Sequence, residues 1–348
     1  MCHDGFVAKT VLFANPTAQS GKAVAAIDAA RELLAAAGIE HEFISTEPDG
    51  GTVAVVRNAI DDEDDGARRV IYMGGDGTFA EVAKGVLASA ARDDVVMGML
   101  PTGTANDQGK SFGLAAGAGA LKDNVAVIKS GITTKIDVGH IQILDAEDRV
   151  THSDLFFDSA SIGWGAAVLQ TRNRDRQAVA QIPLVRSFYR DHLVYAGAMV
   201  QHLLKSMLPN TKFALDAVVD GESTHYEGLI DVIIKNTHVF GGEWVLAPDA
   251  EVDDGLFEMI PVKSQREFTS KMLATFRHSP IGEADLETIG IEHSKPVPGS
   301  KFVLTVLHPG EQSPAVQIDG EEFPPGDKFQ FDVLRRALCI IVPREAAR

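Results

Sequence analysis

Two polar loops rich in glycine and threonine carry the residues best suited to chemistry in this chain. The first reads Gly-Gly-Asp-Gly-Thr over residues 74–78, and the second reads Pro-Thr-Gly-Thr-Ala-Asn-Asp over residues 101–107. Each follows a run of apolar residues typical of a buried strand, Val70–Met73 and Val95–Leu100. A segment with helical spacing, Phe79–Ala91, lies between them. Both loops are therefore predicted at the carboxyl edge of a parallel sheet, where open α/β sheets bind ligands.

The residue types in these loops predict a phosphate site. Glycine lets a ligand approach the backbone closely, and backbone N–H groups next to a helix N-terminus bind anions. The expected phosphate contacts are Gly74, Gly75, Gly77, Thr78, Thr102, Gly103, Thr104 and Asn106. Asp76 differs, because a phosphate repels a carboxylate, and we expect it to hold Mg²⁺ or to accept a proton from an attacking hydroxyl. The alternative is a tight turn in which Asp76 only caps the helix.

The two loops together resemble the catalytic domain of the diacylglycerol kinase and sphingosine kinase superfamily of lipid kinases. Further landmarks of that superfamily follow in order along nearly the whole chain, namely Asn15-Pro16, Gly21-Lys22, Ser161-Ile162-Gly163, Gly241-Gly242, Pro248 to Gly255 and Asp319-Gly320-Glu321. The sequence departs from the pattern at Gln108 and Gly109, where such kinases often have an apolar residue and alanine. This departure concerns the expected wall of the site on the side of the lipid substrate more than the nucleotide site.

The resemblance implies an enzyme that uses ATP, with Mg²⁺, to phosphorylate a membrane lipid. It implies that Asn15 contributes to nucleotide binding and that the turn of residues 319–321 faces the nucleotide site from a second domain. In that arrangement Glu321, or more weakly Asp319, helps to remove the proton, and Asp76 is the competing base.

Other polar residues extend the expected site. Thr46 stands at the carboxyl end of a predicted strand, Ile39–Ser45, and is a candidate nucleotide contact, as are Glu81 and Asp107. Asp253-Asp254-Gly255 resembles a turn where some bacterial lipid kinases hold a structural Mg²⁺, and alternating carboxylates suit a hard cation. A solvated acidic turn is the alternative there.

The order of the elements predicts two domains. Strands and helices alternate from residue 10 to residue 107, which predicts a doubly wound parallel sheet. From Lys135 onward, apolar and polar residues alternate between turn signals, which predicts antiparallel strands. We therefore expect an α/β domain in residues 1–134 and a mainly antiparallel β-sandwich in residues 135–331. The resemblance implies that the first is a nucleotide-binding domain of the NAD kinase and lipid kinase type and that the second is the lipid-substrate domain. The apolar tail, residues 332–348, is expected to pack back on the first domain.

Composition limits the partners and the location. The formal net charge of −17 makes nucleic acid an improbable partner. Cys2 and Cys339 lie at opposite ends, so a disulfide framework is not expected, and a reducing cytoplasm fits. No apolar run reaches 18 residues, and the N-terminus lacks the features of a signal peptide. We expect a cytoplasmic protein at the inner face of the membrane, with a homodimer as one possible assembly.

One stretch could serve for membrane contact. Residues 172–190 contain five arginines, and residues 191–208 follow with the apolar stripe of an amphipathic helix. A basic segment beside an apolar helix face suits docking to a membrane surface. The alternatives are a core-packed helix with solvated arginines, or arginines that bind the phosphate of ATP or of the lipid.

Three other functions share parts of this pattern. An NAD kinase shares the first loop but has a different glycine-rich second loop, and an enzyme like 6-phosphofructokinase needs a Thr-Ile-Asp segment that is not seen here. A sensing protein without activity would not need the catalytic set of Asp76, Thr78, Asn106, Asp107 and Glu321. Diacylglycerol, ceramide and sphingoid bases all present a hydroxyl beside apolar chains, so the sequence does not choose among them.

Overall fold

The structure is a computed structural model that describes residues 9–18, 23–167, 169–170, 212–240, 244–264, 295–308, 310 and 312–347. The predicted Gly21-Lys22 turn, the arginine-rich stretch with its helix, and Gly241-Gly242 lie outside the described residues. The chain divides into two compact units. Unit 1 comprises residues 1–138, 241–243 and 335–348, and unit 2 comprises residues 139–240 and 244–334.

Unit 1 is an α/β domain. Its elements are β1 (Thr10–Ala14), α1 (Ala23–Ala36), β2 (Glu42–Ser45), α2 (Gly51–Ile60), β3 (Arg69–Gly74), α3 (Asp76–Leu87), β4 (Val96–Pro101), α4 (Asp107–Ser111), α5 (Leu121–Ser130) and the start of β5 (Thr133–Leu144). The strands run in the order β2-β1-β3-β4 and are all parallel. Ile71 on β3 packs with α1 and α5, whereas the next residue, Tyr72, meets Phe79 of α3 edge to face. Helices therefore cover both faces, and the predicted doubly wound sheet is confirmed.

The C-terminal residues return to unit 1. Ile340, on a strand that begins in unit 2, pairs with Met97 of β4 in parallel. The N–H of Val342 donates to the carbonyl oxygen of Ile132 at 2.9 Å. The apolar tail thus completes the sheet of unit 1, since its buried residues find partners there.

Unit 2 is built from antiparallel strands. They are the rest of β5, β6 (Val150–Phe156), β7 (Ser159–Gly163), β8 (Phe213–Val219), β9 (Glu222–Leu229), β10 (Asp231–Lys235), β11 (Val239–Phe240), β12 (Trp244–Val245), β13 (Phe257–Val262), β14 (Val297–Gly299), β15 (Lys301–Leu307), β16 (Val316–Ile318), β17 (Glu321–Phe323) and most of β18 (Lys328–Ile341). One sheet contains β18-β15-β8-β9, and the other is ordered β14-β13-β10-β7-β16-β17. Buried side chains of both sheets form one core that includes Phe156, Phe257 and Phe302. The predicted sandwich is therefore confirmed.

None of the helices in the described part of the chain is both long and apolar enough to cross a bilayer.

Candidate functional site

The sheet of unit 1 gathers four predicted loops at one edge. Asn15, Thr46, Gly75 and Thr102 each follow the end of a strand, and these four strands are neighbours in the sheet. Because the strands are parallel, their carboxyl ends share one edge. The N–H of Thr46 also donates to the carbonyl oxygen of Ala14 at 3.0 Å, which joins the first two loops.

The two signature loops touch through their backbones. The N–H groups of Thr102 and Gly103 donate to the carbonyl oxygen of Gly74 at 2.7 and 3.1 Å. A Cβ atom on Gly103 would lie 2.3 Å from Gly75 Cα and 3.0 Å from Gly75 N. Residue 103 must therefore be glycine so that the two loops can approach each other. Gly75 has φ −97°, which is not a left-handed conformation.

Asp76 joins the loops electrostatically. It is the first residue of α3, and its carboxylate accepts the N–H of Asn106 at 2.8 Å and the N–H of Gln108 at 3.3 Å. These amides open α4, so Asp76 supports the start of that helix and lies in the first turn of its own.

The side chain of Asn106 shapes the second loop. Asn106 is 2% exposed and adopts φ 57°, a left-handed conformation that asparagine tolerates. Its Oδ1 accepts the N–H of Gly103 at 2.8 Å, and its Nδ2 donates to the carbonyl oxygen of the same residue at 2.8 Å. These two hydrogen bonds set the position of Gly103, and the contact of this amide with phosphate stays a prediction.

The remaining predicted nucleotide residues surround this contact. Thr78 packs so closely on the loop that its Oγ1 would lie 2.5 Å from a Cβ atom on Gly74. Gly77 is the second residue of α3, and Glu81 lies on the same helix and is half-buried. Asp107 is 9% exposed at the start of α4, whereas Thr104 is exposed.

Asn15 is exposed, and its side chain is engaged locally. Its Oδ1 accepts the N–H of Thr17 at 2.9 Å and the Thr17 hydroxyl at 2.7 Å. This Asx-type turn fixes the chain as it leaves β1.

The Asp-Gly-Glu turn lies in unit 2. Asp319 and Gly320 have φ 48° and 79°, as in a two-residue type I′ hairpin between β16 and β17. The Asp319 carboxylate accepts the N–H groups of Phe157, Asp158 and Ser159 at 2.8, 2.7 and 3.1 Å. Burial and the charge of Asp158 raise the pKa of Asp319 to about 7, although these three amides oppose the rise.

The two acidic residues of this turn differ in their surroundings. Both oxygens of Asp319 are occupied by main-chain amides, so its first role is to hold the turn against β7. Glu321 is exposed at the start of β17, opposite Ile318. Of the two, Glu321 is the better placed to meet a substrate.

A buried charge pair beside this turn was missed by sequence reasoning. Lys235 is fully buried at the end of β10 and donates to the carboxylate of Asp158, which is 5% exposed. The available signal was a lysine directly after three apolar residues, Val232–Ile234, in a buried strand, since lysine is rarely buried.

The acidic turn before β13 has one buried and one exposed aspartate. Asp253 is 8% exposed, and Asp254 is exposed and accepts the N–H of Leu256 at 2.8 Å. Burial, with the charges of Asp254 and Asp249, raises the pKa of Glu258. Among the described residues, no group of three or more His, Cys, Asp or Glu side chains is arranged to hold a metal ion. A structural Mg²⁺ at Asp253 and Asp254 stays a prediction.

Comparisons with known proteins match two domains of the chain. The family model of the diacylglycerol kinase catalytic domain matches residues 9–141. The model of the YegS C-terminal NAD kinase beta sandwich-like domain matches residues 175–329. The probable lipid kinase YegS-like of Enterobacter sp. (strain 638) is 26% identical over 280 residues, which are 80% of this chain and 79% of that protein.

Solved structures share the fold. A diacylglycerol kinase structure from Bacillus anthracis str. Sterne has a TM-score of 0.67 at 19% identity and covers 97% of this chain and 98% of its own. Yeast NADH kinase complexed with NADH has a TM-score of 0.51 at 11% identity. The match covers 97% of this chain and 84% of the kinase chain. The two matched domains occur in the same chain, and the first contains both signature loops. The chain therefore combines a diacylglycerol kinase catalytic domain with a YegS C-terminal domain, which are the domains of a lipid kinase enzyme.

Proposed function

We propose that this enzyme transfers the γ-phosphoryl group of ATP to the hydroxyl group of a lipid such as diacylglycerol, ceramide or a sphingoid base. The observation that carries the proposal is the backbone contact of Gly75 with Gly103, held by the Asp76 carboxylate. Phosphoryl transfer depends mainly on positioning and on neutralising charge, and a rigid pair of loops supplies the positioning.

The phosphates of ATP would lie against the glycine contact. Gly74, Gly75 and Gly103 leave no side chain between a ligand and the backbone. The start of α3 contributes N–H groups and the positive end of a helix dipole. Its N-cap residue is Gly75, so no capping side chain bonds to these N–H groups. Thr78, Thr102 and Thr104 add hydroxyl donors near the same loops. Asn15, Thr46, Glu81 and Asp107 complete the proposed nucleotide site.

Magnesium fits this site as a partner of Asp76. Mg²⁺ commonly binds one or two carboxylates and takes its other ligands from substrate phosphates and water. A single oriented carboxylate beside a phosphate site satisfies that requirement without a larger acidic cluster. When bound, the ion would neutralise charge on the transferred group.

The proton of the lipid hydroxyl needs an acceptor, and two carboxylates are candidates. The Asp76 carboxylate is fixed by the main-chain amides of Asn106 and Gln108. Glu321 is exposed on the hairpin of unit 2, at the start of β17. Asp319 is the weaker candidate, because main-chain amides occupy both of its oxygens.

We place the lipid on unit 2 and the enzyme at the inner face of the cytoplasmic membrane. The diacylglycerol kinase named among the solved structures supports a glycerolipid as the first substrate to test. Acyl chains would lie along the β-domain, and a homodimer is one possible form in solution. The arginine-rich segment remains the proposed membrane contact on sequence grounds alone.

The test is transfer of radiolabel from γ-labelled ATP with Mg²⁺ to lipids in mixed micelles. Acceptors are diacylglycerol, ceramide, sphingosine, monoacylglycerol, NAD and fructose 6-phosphate. We expect label on one lipid with wild-type protein, none with Asp76→Asn, and wild-type transfer with Asp62→Asn. Label on NAD or on the sugar would overturn the lipid assignment. ATP binding without transfer to any acceptor would favour a sensing role.

A further inference from the structure

A fully buried lysine lies beside the turn of residues 319–321. Lys235 has no exposed surface, and its ammonium group donates to the Asp158 carboxylate, to Thr237 Oγ1 at 3.1 Å and to the carbonyl oxygen of Val239. A buried ammonium group is stable only when it is paired with an opposite charge and hydrogen-bonded. Asp158 supplies that charge, and its side chain is 7% exposed.

The segment that contains Asp158 also holds the turn. The main-chain N–H groups of residues 157–159 donate to the Asp319 carboxylate at 2.7 to 3.1 Å. In return, the N–H of Asp319 donates to the carbonyl oxygen of Ser159 at 2.8 Å. Ser159 Oγ donates to Asp158 Oδ2 at 3.0 Å. One short segment therefore presents the carboxylate of Asp158 and binds the carboxylate of Asp319.

Two carboxylates this close repel each other unless a cation compensates. Burial and the charge of Asp158 together raise the pKa of Asp319 to about 7. The ionised form of Asp319 is the better acceptor for three amides. Lys235 neutralises Asp158, so it reduces the repulsion and favours that form. The next residue after the turn is Glu321, a candidate base.

We propose that Lys235 is a positioning residue for Glu321. By neutralising Asp158, it keeps the main chain of residues 157–159 bonded to Asp319 and thereby fixes the Asp-Gly-Glu turn. The role rests on the proposed function, because it requires Glu321 to take part in phosphoryl transfer.

The test compares three variants of the full-length enzyme. Lys235→Met removes the charge and keeps the length of the side chain, and Lys235→Met with Asp158→Asn leaves a neutral pair. Lys301→Met is the control, because Lys301 is 53% exposed and lies 3.8 Å from an Asp332 oxygen. We expect kcat for lipid phosphorylation to fall about tenfold to hundredfold in Lys235→Met, since small displacements of a reacting group are costly. KM for ATP should stay within about twofold, and the double variant should regain most of kcat.

A readout independent of activity is hydrogen exchange of peptides that cover residues 157–159. These amides should exchange faster in Lys235→Met than in the wild type or in Lys301→Met, because their hydrogen bonds to the Asp319 carboxylate should open more often. Unchanged exchange would overturn the proposal.

Three kinetic results would also overturn it. They are wild-type kcat in Lys235→Met, equal losses of kcat and ATP affinity in that variant, and a folded double variant as slow as the single one. A wild type that phosphorylates no lipid would remove the proposed function and the role of Glu321 with it. If the wild type phosphorylates a lipid and Lys235→Met has the same kcat, only the proposed role of Lys235 is removed.

Discussion

Gly75 and Gly103 meet backbone to backbone at the carboxyl edge of the unit 1 sheet. A Cβ atom on Gly103 would approach Gly75 Cα to 2.3 Å and Asn106 Oδ1 to 3.1 Å. The first contact is with main chain, which has no rotamer that can move aside. The two loops can therefore occupy these positions only if residue 103 has no side chain.

Gly103→Ala should separate the loops. Overpacking against a rigid neighbour commonly costs about 1–3 kcal/mol of stability, and the shift should also weaken ATP binding at this edge. Thermal unfolding and ATP titration measure the two effects. Gly119→Ala is the control, because Gly119 is exposed and a Cβ atom there would meet no heavy atom within 4 Å. Equal ATP affinity in the two variants would contradict the steric argument.

Asp76→Asn should impair both loop order and activity. An amide offers one acceptor oxygen, so one of the N–H groups of Asn106 and Gln108 loses its partner. Hydrogen bonds to charged groups contribute about 1.5–3 kcal/mol, and loss of a catalytic carboxylate should reduce kcat by about a hundredfold or more. The measurements are the free energy of unfolding and kcat.

Asp62→Asn is a matched control for Asp76→Asn. The Asp62 carboxylate also accepts two main-chain N–H groups, from Asp64 and Asp65 at 3.0 and 3.1 Å, but in an exposed loop. This variant should keep the kcat of the wild type. A similar loss of activity in both variants would show that the effect of Asp76→Asn is general and not local to the site.

Glu321→Gln and Glu322→Gln should separate a catalytic role from a structural one. Both residues are exposed on β17, and neighbouring residues of a strand point to opposite faces. If Glu321 is the base, its replacement lowers kcat by about 10²- to 10⁴-fold with little change in Tm. Glu322→Gln should leave kcat near the wild-type value. Full activity of Glu321→Gln would leave Asp76 as the better candidate for the base.

The elements of unit 1 could be predicted because their signals are local. Apolar runs such as Val70–Met73 mark buried strands, and Gly74-Gly75 marks the loop that follows. The Asp-Gly pair at residues 319–320 likewise predicts a tight hairpin, and the type I′ conformation is found there.

The contacts that set the site could not be predicted, because they join residues far apart in the chain. Asp76 bonds to an amide 30 residues away, and Lys235 pairs with a carboxylate 77 residues away. Spacing along the sequence carries no information about such pairs. The side chain of Asn106 is an example, since its residue type suits phosphate binding but does not predict the two hydrogen bonds that it makes with Gly103.

Asp231 carries a buried carboxyl group that should make stability depend on pH. It is fully buried at the start of β10, and its Oδ2 accepts the N–H of Gly165 at 2.7 Å. Its Oδ1 is buried without a hydrogen-bond partner among the described residues. Burial raises the pKa of this group to about 8, from an ordinary value of 3.8.

The sign of the effect follows from proton binding. Between about pH 4 and pH 8 the folded protein holds a proton on Asp231 that the unfolded chain has lost, so the free energy of unfolding falls as pH rises. Each pKa unit corresponds to 1.36 kcal/mol, so the loss over this range should be a few kcal/mol.

Asp231→Asn keeps the acceptor for Gly165 and carries no charge. Its stability relative to the wild type should therefore increase steadily from pH 5 to pH 8, as measured by urea unfolding at each pH. Asp62→Asn should show a constant difference over the same range, because main-chain amides of Asp65 and Asp64 lower the pKa of Asp62. A constant difference for Asp231→Asn as well would mean that Asp231 does not titrate in this range.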